Sequence, residues 1–249
     1  MYFDFVTELK TLPASVFTKL LPKYHGLERR LLLDLISQAG TDDSLASLIQ
    51  GHENLQLSDA ELGGVLTNIQ HYQTATVFAV EKLFDLSEKD SLRTKALLPL
   101  GTLIGRYCSN IDCHRDDIVR GIVRALDQSL PPFCRTYTNK DTLVTSGILK
   151  ALGNAGIYTP SMKTCMHEPI GHIEVKLSAL RALRKMSCED VKQSGAIDLF
   201  FSVEENVEIR LQAYLSCVEC ASPRVLNRLI DHLQEEPVYQ VVSFVLSHL

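Results

Sequence analysis

Glu174-Val175-Lys176-Leu177-Ser178-Ala179 overlays Glu208-Ile209-Arg210-Leu211-Gln212-Ala213 at an offset of 34 residues. The first copy belongs to an apolar pattern running from Ile173 to Met186. Val175, Ala179, Ala182, Leu183 and Met186 fall on one helical face there, with Glu174, Ser178, Arg181 and Lys185 opposite. The second copy opens a helix from Val207 to about Cys220, whose stripe is Ile209, Ala213, Cys217 and Cys220. Leu149-Lys150-Ala151-Leu152 overlays Leu180-Arg181-Ala182-Leu183 at an offset of 31. A period of 31–34 residues holding two short helices means stacked helical hairpins, each burying its stripe only against its neighbours. The expected fold is all-α, a curved two-layer helical solenoid. The large aromatics of a tetratricopeptide pattern are absent, there is no tryptophan, and the ankyrin signature is missing.

The same three- and four-residue spacing covers the rest of the chain, with no alternating strand pattern. It predicts helices at Phe3–Leu12, Ala14–Leu21, Leu27–Ala39, Asp43–Gln50, Asp59–His71, Ala75–Leu86, Leu92–Tyr107 and Asp116–Gln128. Further helices are expected at Thr142–Leu152, Val191–Phe201, Val225–Leu233 and Tyr239–His248. Ser58-Asp59-Ala60-Glu61 is a capping box. Leu152-Gly153-Asn154-Ala155-Gly156 is a helix stop, since glycine and asparagine tolerate the left-handed backbone that ends a helix. Pro223 and Pro237 sit near helix starts, where a missing amide hydrogen costs little. Connections are short and no linker-like stretch occurs, so residues 1–249 are expected to form a single domain.

Of the 249 residues, 45% are hydrophobic and the net charge is −5, which excludes a disordered chain. The acidic balance and the lack of a polybasic tract argue against nucleic acid as a partner. The longest lightly charged stretch, Ala96 to Gly105, is too short to span a bilayer and contains Pro99. The N-terminal MYFDFVTELK has Asp4 and Glu8 where a signal peptide needs an apolar core. Yet there are seven cysteines, Cys108, Cys113, Cys134, Cys165, Cys188, Cys217 and Cys220, whose spacing suits disulfides and hence an oxidising compartment. Together these suggest that Met1 is not the start of the precursor and that the chain is a segment of a secreted protein.

Motifs that carry chemistry are missing. There is no dinucleotide- or phosphate-binding glycine loop, no Gly-x-Ser-x-Gly elbow and no His-Glu-x-x-His. Asp42-Asp43, Asp116-Asp117 and Glu235-Glu236 fall at expected helix starts or loops, where negative charge suits the helix dipole. Cys217-Val218-Glu219-Cys220 has redox spacing, but it closes a helix, whereas reactive thiolates are favoured at helix N-termini. Cys165-Met166-His167 with His172, and Cys113-His114, lack the paired spacing of a structural zinc site. No catalytic residue, metal or cofactor is expected. Cys108 and Cys113 differ from the other cysteines. The first ends the long helix, and the turn Ser109-Asn110-Ile111-Asp112 can bring the second within disulfide range, which would pin that helix end; in a cytosolic chain the two would instead be free thiols.

At these residues the chain resembles the helical domain of the large lipid-transfer proteins: vitellogenins, apolipoprotein B, insect apolipophorins and the microsomal triglyceride transfer protein. The matching stretches are Leu98-Pro-Leu-Gly-Thr-Leu-Ile-Gly-Arg-Tyr-Cys108 with Cys113, then Leu149-Lys-Ala-Leu-Gly-Asn-Ala-Gly156 and Ala179-Leu-Arg-Ala-Leu-Arg-Lys-Met186. Glu208-Ile-Arg-Leu-Gln-Ala-Tyr-Leu215 and Glu236-Pro-Val-Tyr-Gln-Val-Val-Ser-Phe-Val-Leu-Ser-His-Leu249 complete the set. Together they cover about Leu92 to Leu249, and the first 90 residues agree only in helical character. The resemblance implies a right-handed α–α superhelix of the lipovitellin type wrapping a lipid cavity that sheet domains line. It matches Cys108–Cys113 to a family disulfide, and Cys134 with Cys165 brackets the Leu152–Gly156 segment in a family-like way. Cys188 with Cys220 would be a third bridge leaving Cys217 odd, although the sequence does not fix the pairings among these last five. A histidine-bound zinc ion occurs in some relatives, which keeps His167 and His172 open as ligands.

The resemblance further implies a fragment of a larger lipoprotein, lacking the N-terminal and cavity-lining sheets, with the segment from Gly156 to Ile173 abbreviated. The expected function is lipid transport, as a structural and assembly module framing the lipid cavity of a secreted carrier. Its partners would be lipids, held with neighbouring sheet domains, and the other domains of the same lipoprotein. The alternative is an intracellular helical-repeat scaffold for protein–protein interaction. An enzyme is not expected. Because both faces of a two-layer array are partly apolar, periodicity does not single out lipid-contacting residues.

Overall fold

A computed structural model describes residues 7–72 and 74–248 and shows helices without strands among them. Residues 3–6 of the expected first helix lie outside the described residues. Two compact units divide the chain between Ile122 and Val123.

The first unit contains α1 (Ala14–Leu20), α2 (Gly26–Ala39), α3 (Asp42–Glu53), α4 (Asp59–Val65), α5 (Val77–Ser87) and α6 (Arg93–Cys108). Here α1 and α2 pack on α3, a 3-10 segment at Leu66–His71 packs on α2 and α6, and α5 lies along α6. Phe17, Leu21, Ile36, Leu62, Leu66 and Leu83 are wholly buried between them. Helix starts are set by side chains that accept from otherwise unpaired amides: Thr41 caps α3, Ser58 caps α4 in the expected box with Glu61, and Thr76 caps α5. The division between the units falls inside α7 (Asp117–Gln128), whose first turn is capped by the Asp116 carboxylate accepting from the Val119 amide at 2.9 Å.

The second unit is a row of helices backed by a second layer. The row comprises α8 (Asn139–Ala155), α10 (Ile173–Ala182), α13 (Val207–Cys217) and α15 (Tyr239–His248), each packed on the next. Behind it come α9 (Pro160–His167), α11 (Cys188–Ser194), α12 (Ile197–Phe201) and α14 (Pro223–Glu235). The row helices run in the same direction. Gly153 near the end of α8 meets Ala182 at the end of α10, the Ser216 hydroxyl donates to the Leu180 carbonyl at 2.8 Å, and the Tyr214 hydroxyl meets His248 Nδ1 at 2.9 Å. The starts of α8, α10 and α13 recur every 34 residues.

The period extends to the polar ties of both units. Thr76 bonds Asp42 across 34 residues, Arg29 bonds Glu61 across 32 and Asn68 bonds Ser37 across 31. In the second unit Arg135 bonds Glu168 across 33 and Arg181 bonds Gln212 across 31. Each tie joins a repeat to the next, which is how a quasi-one-dimensional array is held.

Several expected elements take a different form. The segment expected as one helix at Val191–Phe201 is two, because Gly195 adopts the left-handed conformation (φ 68°) that closes α11. Helix α9 lies within the segment expected to be abbreviated, with Pro160 in its first turn and Met162, Cys165 and Met166 buried. Helix α10 is apolar-facing on more than one side: Ser178, expected outside, is fully buried, because α8, α9 and α13 all pack on α10. Gly153 is helical, and only Gly156 of the expected stop is left-handed (φ 71°). A Cβ on Gly153 would lie 2.5 Å from the Ala182 Cα, so this glycine allows two helices to touch.

Candidate functional site

Because the row helices are parallel, the loops entering α8, α10, α13 and α15 share one edge of the second unit. Each pair of neighbouring loops or helix starts is joined by an ion pair. Arg135 donates to Glu168 Oε1 from Nε at 3.1 Å and from a terminal nitrogen at 2.9 Å. Lys176 Nζ donates to Glu205 Oε2 at 2.8 Å. Arg210 donates to both carboxylate oxygens of Glu236, to Oε1 at 3.1 Å and to Oε2 more closely. Glu168, Lys176, Arg210 and the Glu236 side chain are all buried. The same loops turn apolar side chains outward: Tyr137 is 87% exposed, Ile170 72%, Val203 50% and Tyr239 82%. Acids thus point in and apolar groups point out, once per repeat.

The Arg210 site shows how a charge is kept inside. Its Nε donates to the Phe200 carbonyl at 3.0 Å, and its terminal nitrogens satisfy Glu236. Glu236 Oε1 also accepts from the Val238 amide at 3.0 Å, and His232 Nε2 lies 3.0 Å from Oε2. Phe200, Phe201 and His232 pack edge to face around this network. Burial pushes the Glu236 carboxyl up, but the Arg210 hydrogen bonds, the Val238 amide and the charges of Arg210 and His232 outweigh it and hold it below the ordinary carboxylate value. From sequence, Glu235-Glu236 is expected at a helix start or in a loop. In the structure the pair ends α14, and Glu236 serves the ion pair rather than a dipole. A signal was present: Lys176 and Arg210 take the same place in the 34-residue overlay, a basic residue inside an apolar pattern in both copies.

Disulfides join Cys108 to Cys113, Cys134 to Cys165 and Cys188 to Cys220. The first ties the end of α6 to the following turn. The others span 31 and 32 residues and so link adjacent repeats. Cys217 remains a buried free thiol, which desolvation, aided by the Asp198 charge, pushes up to about 12. The Cys217/Cys220 spacing therefore forms no redox pair, since Cys220 is bonded elsewhere. The metal candidates are dispersed in the same way. Cys165 and Cys113 are in disulfides, His167 Nε2 lies 3.0 Å from the Ser194 carbonyl, and His172 Nδ1 accepts from the Glu174 amide to cap α10. Among the described residues no helix is long and apolar enough to cross a membrane.

The other perturbed groups serve structure. Arg29 bonding, opposed by burial and aided by Ser58, holds Glu61 at about 2. Burial, and then the Asp42 carboxylate, raises the Tyr72 hydroxyl. Each of these groups answers to its own neighbour within the first unit.

A family profile described as "Vitellogenin TPR domain" matches residues 2–249. Apolipophorins of Locusta migratoria are 27% identical over 234 residues, covering 89% of this chain and 6% of that protein. Vitellogenin of Ichthyomyzon unicuspis is 26% identical, covering 97% of this chain and 14% of its own. Apolipoprotein B-100 of Rattus norvegicus is 26% identical over the whole of this chain and 5% of its own. A solved structure described as "lipid–protein interactions in lipovitellin" superposes with a TM-score of 0.76 at 24% identity, covering 99% of this chain and 27% of that one. This last likeness shows a shared fold, an array of paired helices. The chain therefore spans a small fraction of the relatives it matches. The tetratricopeptide label fits its 34-residue period, not its side chains.

Proposed function

The chain belongs to the vitellogenin TPR domain family, and from that membership we propose that residues 1–249 act as one non-catalytic module framing the lipid cavity of a secreted, vitellogenin- or apolipophorin-like lipid carrier. The observation that carries this reading is the edge of the second unit, where buried ion pairs fix the loops and Tyr137, Ile170, Val203 and Tyr239 stand exposed in series. Exposed apolar groups in series mark a surface built to be covered. In this reading neighbouring sheet domains of the same lipoprotein cover it, and lipid fills the space beyond. The disulfides suit an oxidising, extracellular setting.

The test is expression of a longer natural chain including the flanking regions, with lipid extraction and mass spectrometry of the purified protein. Bound lipid is expected, and replacing Tyr137, Ile170 and Tyr239 together by serine should reduce it while leaving helicity intact. A folded but lipid-free protein would overturn the reading. Thiol counting in protein from an oxidising compartment should find one free cysteine. Six or seven would favour an intracellular scaffold instead.

A further inference from the structure

At the opposite end of the row, where α10 and α13 finish, a cavity of about 510 Å³ opens beside the Cys188–Cys220 disulfide. Its walls include Leu183, Met186, Val191, Leu215 and Val218. Three of these, Leu183, Met186 and Val191, are buried. Its charged lining groups are Arg184 and Glu219, both exposed. His248 also lines it, with Nδ1 engaged by the Tyr214 hydroxyl. Arg184 and Glu219 form no ion pair among the described residues, in contrast to the cations of the opposite edge. The volume lies in the lower part of the roughly 300–1,000 Å³ range of small-molecule sites, which leaves room for one hydrocarbon chain rather than two.

We infer that this cavity binds a single-chain amphiphile with a zwitterionic head: the chain against the aliphatic walls, a phosphate on Arg184 and His248, and an ammonium on Glu219. The lining selects this class. Apolar walls alone would take any alkane, and Arg184 alone would favour a fatty carboxylate. Glu219 repels a purely anionic head and attracts a cationic one. Only a head carrying both signs uses both free charges. The disulfide holds Cys188 and Cys220 together as one wall, so the site is pre-formed and loses little on ordering.

This site lies apart from the apolar edge, and its assignment rests on the lipid-carrier reading only for the relevance of such ligands. The chain has no tryptophan, so Leu215→Trp supplies a single fluorophore in the wall. Titration with dodecylphosphocholine, kept well below its critical micelle concentration, is expected to give a saturable blue shift with one ligand per chain. In that background Arg184→Gln and Glu219→Gln should each weaken binding about tenfold, the scale of one charge-assisted hydrogen bond. Dodecyl maltoside, with the same tail and a neutral head, engages neither charge and should bind more weakly by about the product of the two, roughly a hundredfold. Absence of saturation, unchanged affinity in either glutamine variant, or equal affinity for the maltoside would overturn the proposal. Calorimetric titration of the unsubstituted protein reads the same binding should the tryptophan variant fold poorly. Failure here alongside lipid loading of the longer chain would remove this site and leave the carrier reading in place.

Discussion

Lys176 and Arg210 sit at equivalent points of successive repeats, each buried against a carboxylate from the next loop. Burying two charges is costly, and their attraction offsets that only when every polar atom is satisfied. At Arg210 the Phe200 carbonyl and Glu236 meet that condition. Arg210→Met is therefore expected to cost about 3–5 kcal/mol, because it strands Glu236. Arg210→Met with Glu236→Leu should recover a large part, and thermal melts of the cycle would check this. Glu61 gives the pH dependence. Its folded value of about 2 lies below the ordinary 4.5, so its contribution is fully present above 4.5 and is lost as pH falls towards 2. Glu236, also held below its ordinary value, acts with the same sign. Urea midpoints across that window should fall with acid, and Glu61→Gln should flatten the fall. Gly153→Ala forces a methyl into the Ala182 backbone and should destabilise by about 1–3 kcal/mol in the same assay.

Among the elements, disulfides of different span should differ in worth. Loop closure gives about 2 kcal/mol for the five-residue separation of Cys108–Cys113 and about 3–4 kcal/mol for separations near 31. Paired serine replacements at Cys108/Cys113 should thus lower the denaturation midpoint less than those at Cys134/Cys165 or Cys188/Cys220. Much at this scale is legible in sequence: the cap at Ser58, the helix start at Pro223, the stop at Gly156, and the row helices with their 34-residue register. What is not legible has physical causes. Helix α9 carries Lys163 and Thr164 between buried methionines and His167 after them, so its eight residues are too few to show a period. The break at Gly195 needs a backbone angle that one glycine inside an apolar run does not announce. Ser178 reads as a solvent face because amphipathicity assumes one buried side, while α10 has neighbours on several. The ion-paired edge is not legible because its partners lie about a repeat apart, beyond any helical window.

Across the whole molecule, hydrogen bonds, ion pairs and two disulfides reach from one repeat to the next, so order is built from neighbouring pieces. This locality reaches back to the ribosome. A chain emerging N-terminus first completes each tie once about 30 further residues have appeared, without waiting for its distant end. Its cysteines pair in the order they emerge, Cys108 with Cys113 and Cys134 with Cys165, so the first thiol encountered is the correct one. Cys188 is the exception, since Cys217 reaches it three residues before Cys220. Only burial of Cys217 within α13 withdraws the wrong partner. Cys217→Ala should therefore speed formation of the Cys188–Cys220 bond in oxidative refolding followed by timed alkylation, and an unchanged rate would refute this. The odd cysteine is a competitor that helix α13 must hide during synthesis.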